Sequence, residues 1–165
     1  VIQEQIPWRP TKAAHLLVLA QPEVGKPYLM GSEGPVHVLL PTWDCSELVQ
    51  HLLAIVGVEE VTDDNDPPRR TPIGTFDGAG FQWERSHHIR LPEGIRTPGA
   101  LLFVQSTSSY PDKPHHIGHV AISLGNGFLI EARGKAYGVT MGPVRGSFSL
   151  ASKVRELYTP AVVEG

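Results

Sequence analysis

One cysteine in 165 residues is the sharpest shortage in this sequence, and it excludes an intrachain disulfide. The thiol of Cys45 is therefore either a small buried hydrophobe or a reactive group. Charge is scarce too. Asp, Glu, Lys and Arg make up 19% of the residues, and the formal sum of −3 leaves no basic excess of the kind a nucleic-acid binder presents. No apolar run approaches the roughly 20 residues that a membrane-spanning helix needs. There is no internal repeat and no low-complexity tract, which sets aside solenoids and disordered tails. The chain starts at Val1 without a charged and apolar leader, so any export signal is expected to have been removed, to lie outside the sequence, or never to have existed.

What is present fits a folded α+β protein. Hydrophobic residues reach 41%, and fifteen prolines with seventeen glycines imply many turns. One domain is expected over residues 1–165, with 1–11 as an extended lead-in. A first helix is expected in 11–25, starting at Thr11 and broken near Pro22. A second runs from about Cys45 to Val56, stopped by Gly57. Residues 62–99 read as a long irregular connection with one short strand, "HHIRL". Strands are expected at 100–105, 119–124 and 128–133, with a weaker one at 154–157. Helices first and a meander of strands afterwards is an α+β order.

The stretch "PTWDCSELVQHLLAIVG" (41–57) places the lone thiol at a helix start. Asp44 and Glu47 have the spacing of an N-cap and its partner three residues on. Leu48, Leu52, Ile55 and Val56 recur at helical spacing and predict one buried stripe. As first helical residue, Cys45 would feel the partial positive charge of the helix end, which favours a thiolate. Asp44 and Glu47 oppose that effect, so activation needs a cationic partner.

"GHVAISLGNGFLIEARG" (118–134) offers one. A two-residue Asn-Gly turn would put His119 and Glu131 on opposite faces. A three-residue Gly125-Asn126-Gly127 loop pairs Leu124 with Phe128 and Ala121 with Glu131. It lines up Val120, Ile122, Leu124, Phe128, Ile130 and Ala132 on one apolar face. His119, Glu131 and Arg133 then share the other face, with the imidazole and carboxylate in reach of each other. A carboxylate beside an imidazole raises its pKa and fixes its tautomer. If the fold brings Cys45 to this pair, nucleophile, base and orienter are assembled. On the residues alone, a merely buried cysteine and a surface His–Glu pair fit as well.

In order, "GKPYLMG" (25–31), "DCSELV" (44–49), "TPGALLFV" (97–104) and "GHVAISLGNGFLIEA" (118–132) resemble the NlpC-type family of papain-like cell-wall peptidases. The resemblance runs from about residue 12 to 135 and onward toward Leu157. It implies a papain-like fold, with the nucleophile helix packed on a C-terminal antiparallel sheet. It also implies hydrolysis of an amide bond in the peptidoglycan stem peptide, commonly after the γ-linked D-glutamate, through a thioester acyl-enzyme. By position, Cys45 matches the nucleophile, His119 the general base and acid, and Glu131 the third polar residue. Tyr28, Asp44 and Ser46 match residues that line the substrate site, and Arg133 is a candidate for a substrate carboxylate. Neither metal nor organic cofactor is implied. The resemblance extends to domains that reach the wall by secretion or by phage delivery, and to chains that carry further domains. This sequence departs from the family where Glu131 stands for a usual histidine, Glu47 for a glycine and Ala100 for an acidic residue.

Two rival readings follow from the histidines and tryptophans. "PHHIGH" gathers His115, His116 and His119, and His87-His88 form a second pair. With Asp112 or Glu131 these would assemble a zinc-dependent wall hydrolase, but that leaves Cys45 without a role and matches no helical zinc signature. A catalytically silent wall-binding module, with Trp8, Trp43 and Trp83 lining a groove, is the other. Core packing is the expectation for at least two of the three.

Overall fold

Thr11 starts the first helix as its sequence predicts, its hydroxyl accepting the Ala14 N–H at 3.2 Å. The structure, a computed structural model, describes residues 11–31 and 34–158. All of the expected lead-in but Thr11, Trp8 included, therefore lies outside the described residues. Helix α1 spans Lys12–Ala20 and ends in a 3-10 turn, Gln21–Glu23, around Pro22. Helix α2, Cys45–Ile55, begins where expected, with the Asp44 carboxylate accepting the Glu47 N–H at 2.9 Å. Its buried surface is wider than the predicted stripe: every residue from Ser46 to Ala54 is buried. Gly57 ends it at φ +92°, a conformation a side chain would strain.

The chain then departs from the expected irregular connection. A two-stranded ribbon pairs β1, Glu60–Thr62, with β2, Arg70–Pro72. Two short helices follow, α3 at Ala79–Glu84 and α4 at Leu91–Arg96, on either side of β3, His87–Ile89. Neither helix is long enough to show a clear period, which is why the pattern reads as loop. Strands β4, Leu101–Gln105, β5, Ile117–Ser123, and β6, Phe128–Ala132, fall on three of the predicted segments. Strands β7, Val139–Pro143, and β8, Phe148–Lys153, were not legible. The weak strand predicted at 154–157 is instead a 3-10 turn, Arg155–Leu157.

The six strands form one antiparallel sheet in the order β3-β8-β4-β5-β6-β7. Helices α1 and α2 pack on one side over the larger core, which takes in Val120, Ile122, Ile130 and Ala132. The hairpin register is the three-residue-loop register: Ile122 opposes Ile130, Ser123 opposes Leu129, and the Leu124 N–H donates to the Phe128 carbonyl. Two details of the faces differ from expectation. Phe128 is 46% exposed, because it sits at the turn end of the hairpin. The opposite face is not a solvent face: Ala121 and Leu129 belong to a second small core with Leu102, Phe148 and Ala151, flanked by Leu91 and Ile95 of α4. Among the described residues no helix is long and apolar enough to cross a membrane.

Helix α3 is held against the turn before β5 by a close approach at Gly80. A Cβ there would lie 2.3 Å from the Pro114 carbonyl oxygen, a backbone atom that cannot swing away. Gly80→Ala would gain up to about 1 kcal/mol of helix propensity. The forced separation costs more, about 1–3 kcal/mol. Net destabilisation in a urea titration is the expected result, although alanine is the better helix former.

Candidate active site

Cys45 reaches its position through the segment that precedes it. Trp43 is fully buried; its N–H donates to the Pro27 carbonyl and its own carbonyl accepts the Leu29 N–H, each at 3.0 Å. Its indole N–H donates to the buried Glu23 carboxylate, which is paired with Lys26 at 2.7 Å. This short parallel bridge sets Tyr28 beside the start of α2. On the other side, the Gln82 side-chain amide of α3 donates to the Ser46 carbonyl at 2.9 Å and to the Phe76 carbonyl at 3.0 Å. The first turn of α2 is thus fixed from two directions.

Cys45 is half-buried and lines a cleft of about 250 Å3. Tyr28, Asp44 and Ser46 line it, and residues not singled out from the sequence complete it: Ala79, Gly80 and Phe81 of α3, with Lys113 and Pro114. Gly118 lines it too, where β4 and β5 shift register between Val104 and Gln105. A Cβ on Gly118 would fall 2.2 Å from the Tyr110 ring, so only glycine lets that ring close over the strand end.

His119 meets Cys45 from β5. Its Nε2 donates to Glu131 Oε2 at 2.6 Å, and the Cys45 side chain is close enough to act on the ring's pKa. Burial works against a charged ring. The hydrogen bonds and negative charges of Cys45 and Glu131 outweigh it, raising the His119 pKa from 6.5 to about 9. Glu131 is itself buried, which would raise its pKa, yet hydrogen bonds and charges from His119 and Arg145 lower it to about 2. The imidazolium–carboxylate form is therefore the ground state at neutral pH. Burial, followed by the charges of Cys45, Asp44, Glu47 and Tyr110, pushes Tyr28 up to about 12, so its phenol keeps its proton.

The remaining predicted residues divide. Asp44 is engaged within the loop: Oδ1 caps α2 and accepts the Ser46 hydroxyl at 3.3 Å, while Oδ2 accepts the Gly31 N–H at 3.2 Å. Arg133 lies past the end of β6, exposed and stacked over Tyr137 at 4.0 Å, and does not line the cleft beside Cys45. Arg145, absent from the expectations, grips Glu131 instead through both guanidinium nitrogens. No local signal marks it; it comes to Glu131 only through the return of β7.

The histidine-rich loops do not build the alternative metal site. His115 pairs with Glu84 at 3.4 Å, and His116 donates from Nδ1 to the Tyr110 carbonyl. His87 pairs with Asp64 at 2.8 Å, and His88 stacks on Trp83 with ring centroids 3.5 Å apart. Among the described residues no three of His, Cys, Asp and Glu converge as a metal site would require. Trp43 and Trp83 are both spent on packing, Trp83 against His88 and Phe103.

The sequence model of the NlpC/P60 family matches residues 25–157, most of the chain and all of the cleft just described. The chain belongs to the NlpC/P60 family. Solved structures of NlpC/P60 proteins share its α+β architecture of a few helices on a six-stranded antiparallel sheet. The NlpC/P60 domain of the peptidoglycan hydrolase SagA is 23% identical with a TM-score of 0.60, over 86% of this chain and 97% of that one. The peptidoglycan hydrolase RipB from Mycobacterium tuberculosis is 27% identical with a TM-score of 0.61, over 87% of this chain and 64% of its own. The P60 domain of an antigen from M. avium subspecies paratuberculosis is 25% identical with a TM-score of 0.60, over 87% and 94%. No curated protein matches the chain.

Proposed function

We propose that this NlpC/P60 chain is a cysteine endopeptidase of peptidoglycan, cutting an amide bond of the stem peptide after the γ-linked D-glutamate. The observation that carries the reading is the 2.6 Å bond of His119 to the buried Glu131, in a ring whose pKa the Cys45 side chain also raises. Membership of NlpC/P60, and likeness to RipB, support the wall as the place of action.

In this reading each group has a task that the geometry supports. His119 Nε2 is committed to Glu131, so Nδ1 serves the thiol. As the thiolate attacks the scissile carbonyl carbon, the π pair moves to oxygen. The Cys45 N–H at the open end of α2 and the Tyr28 hydroxyl, kept protonated, stabilise that oxyanion. The imidazolium then passes its Nδ1 proton to the departing amine as the C–N bond breaks, leaving a thioester on Cys45. Water attacks the thioester, His119 takes its proton, and the carboxylic acid leaves as the thiolate is regenerated. Asp44 and Ser46, which line the cleft beside Cys45, are the candidates for holding the peptide. Asp44 acts chiefly by shaping the loop that presents Ser46 and Gly31.

Digestion of purified stem peptides, followed by mass spectrometry, tests this. One new amine and one new carboxyl at the γ-D-glutamyl bond are expected, with the same rate in excess chelator. Cleavage at another amide would move the bond assignment. Binding without product would turn the reading toward a wall-binding module, and loss of rate in chelator toward a metal hydrolase.

A further inference from the structure

We propose that Arg145 is a positioning residue for the acid step: it shares Glu131 with His119, and so keeps the imidazolium able to release its proton to the departing amine. The inference rests on the reading of Cys45 and His119 as the working pair.

Glu131 is 1% exposed, so no bulk water tempers its charge. A buried carboxylate facing a single imidazolium would hold that proton hard, and a more basic imidazole is a weaker acid toward the leaving amine. Arg145 changes this balance. Its Nη1 bonds Oε1 and its Nη2 bonds Oε2 at 2.9 Å, while Oε2 also accepts from His119 at 2.6 Å. The oxygen that holds the ring therefore serves two cations at once. The bidentate grip also fixes the carboxylate plane, which a lysine could not do.

Arg145 is itself held for this task. It lies in the turn between β7 and β8, where the Phe148 N–H donates to its carbonyl and the Val144 N–H donates to the Gly127 carbonyl. Its guanidinium lies 5.2 Å from the Phe148 ring centroid, and the same ring flanks the His119 ring at 5.8 Å. The titratable neighbours are few. Cys45 comes from α2 and Glu131 from β6, while Tyr137, ahead of β7, acts on Arg145. Tyr28, Asp44 and Glu47 surround the thiol. Strands β4 and β7 set only Val104 opposite His119 and Thr140 opposite Glu131.

A ring-nitrogen NMR titration of His119 tests the inference without any substrate, so it stays readable if the proposed cleavage fails. It is run in the Cys45→Ala background, where no thiolate titrates alongside the ring. Adding Arg145→Met or Arg145→Gln is expected to raise the His119 midpoint by about one pH unit. Arg145→Lys is expected to return most of that shift. In the Cys45-bearing enzyme, Arg145→Met should lower kcat about tenfold with KM within about twofold, as loss of acid strength predicts. A midpoint that stays put or falls, in whichever uncharged variant folds, would overturn the proposal. A purely structural arginine would lower the melting temperature and leave the midpoint unmoved.

Discussion

Cys45→Ala is expected to lower kcat on a stem-peptide substrate by at least about 10^4-fold while the protein stays folded and keeps binding the peptide. The size follows from what the thiol supplies. On the proposed mechanism the attacking atom and the acyl-enzyme go with it, so the Tyr28 hydroxyl and the helix-end amide would have no tetrahedral adduct to stabilise. The fold should tolerate the change, because Cys45 is only half-buried and stands at the first position of α2, where alanine is a good helix former. Asp44 continues to cap the helix and Gln82 continues to hold the Ser46 carbonyl. A melting curve, a calorimetric titration with stem peptide and a product assay check the three parts together. Retained turnover in the alanine variant would remove Cys45 from the chemistry altogether.

The elements that place Cys45, His119 and Glu131 were legible because each carries a short-range rule. Asp44 three residues before Glu47 announces the start of α2, and Gly57 announces its end. The apolar alternation on both sides of Gly125-Asn126-Gly127 settles the hairpin register, which in turn brings His119 within 2.6 Å of Glu131. What stayed hidden depends on long-range placement. Helix α3 is only six residues long, yet it supplies a wall of the cleft and the Gln82 amide behind Ser46. Strand β7 mixes glycine and proline with its few apolar residues, and without β7 nothing points the following Arg145 at Glu131. Arg133 illustrates the converse error. Strand alternation continued one residue too far placed it on the His119 face, but β6 ends at Ala132 and the side chain turns to Tyr137. Periodicity predicts where a side chain points only as long as the strand lasts.

His119→Ala should cost kcat about 10^4-fold, through loss of the proton that the leaving amine needs. Its pH behaviour distinguishes this loss from simple damage. In the intact enzyme the imidazolium persists until the His119 pKa of about 9, so the alkaline limb of kcat is expected near pH 9, not near the 6.5 of an ordinary histidine. In His119→Ala that limb should vanish. Stability carries the same signature with a fixed sign. Because the folded pKa of His119 is raised, its contribution is complete below pH 6.5 and is lost as pH climbs through about 9. Because the folded pKa of Glu131 is lowered, its contribution is complete above pH 4.5 and is lost as pH falls through about 2. Both are whole between pH 4.5 and 6.5, so urea midpoints should peak there and decline on the alkaline side. His119→Ala should flatten the alkaline decline between pH 6.5 and 9, and a decline of undiminished slope would assign it to groups elsewhere in the fold.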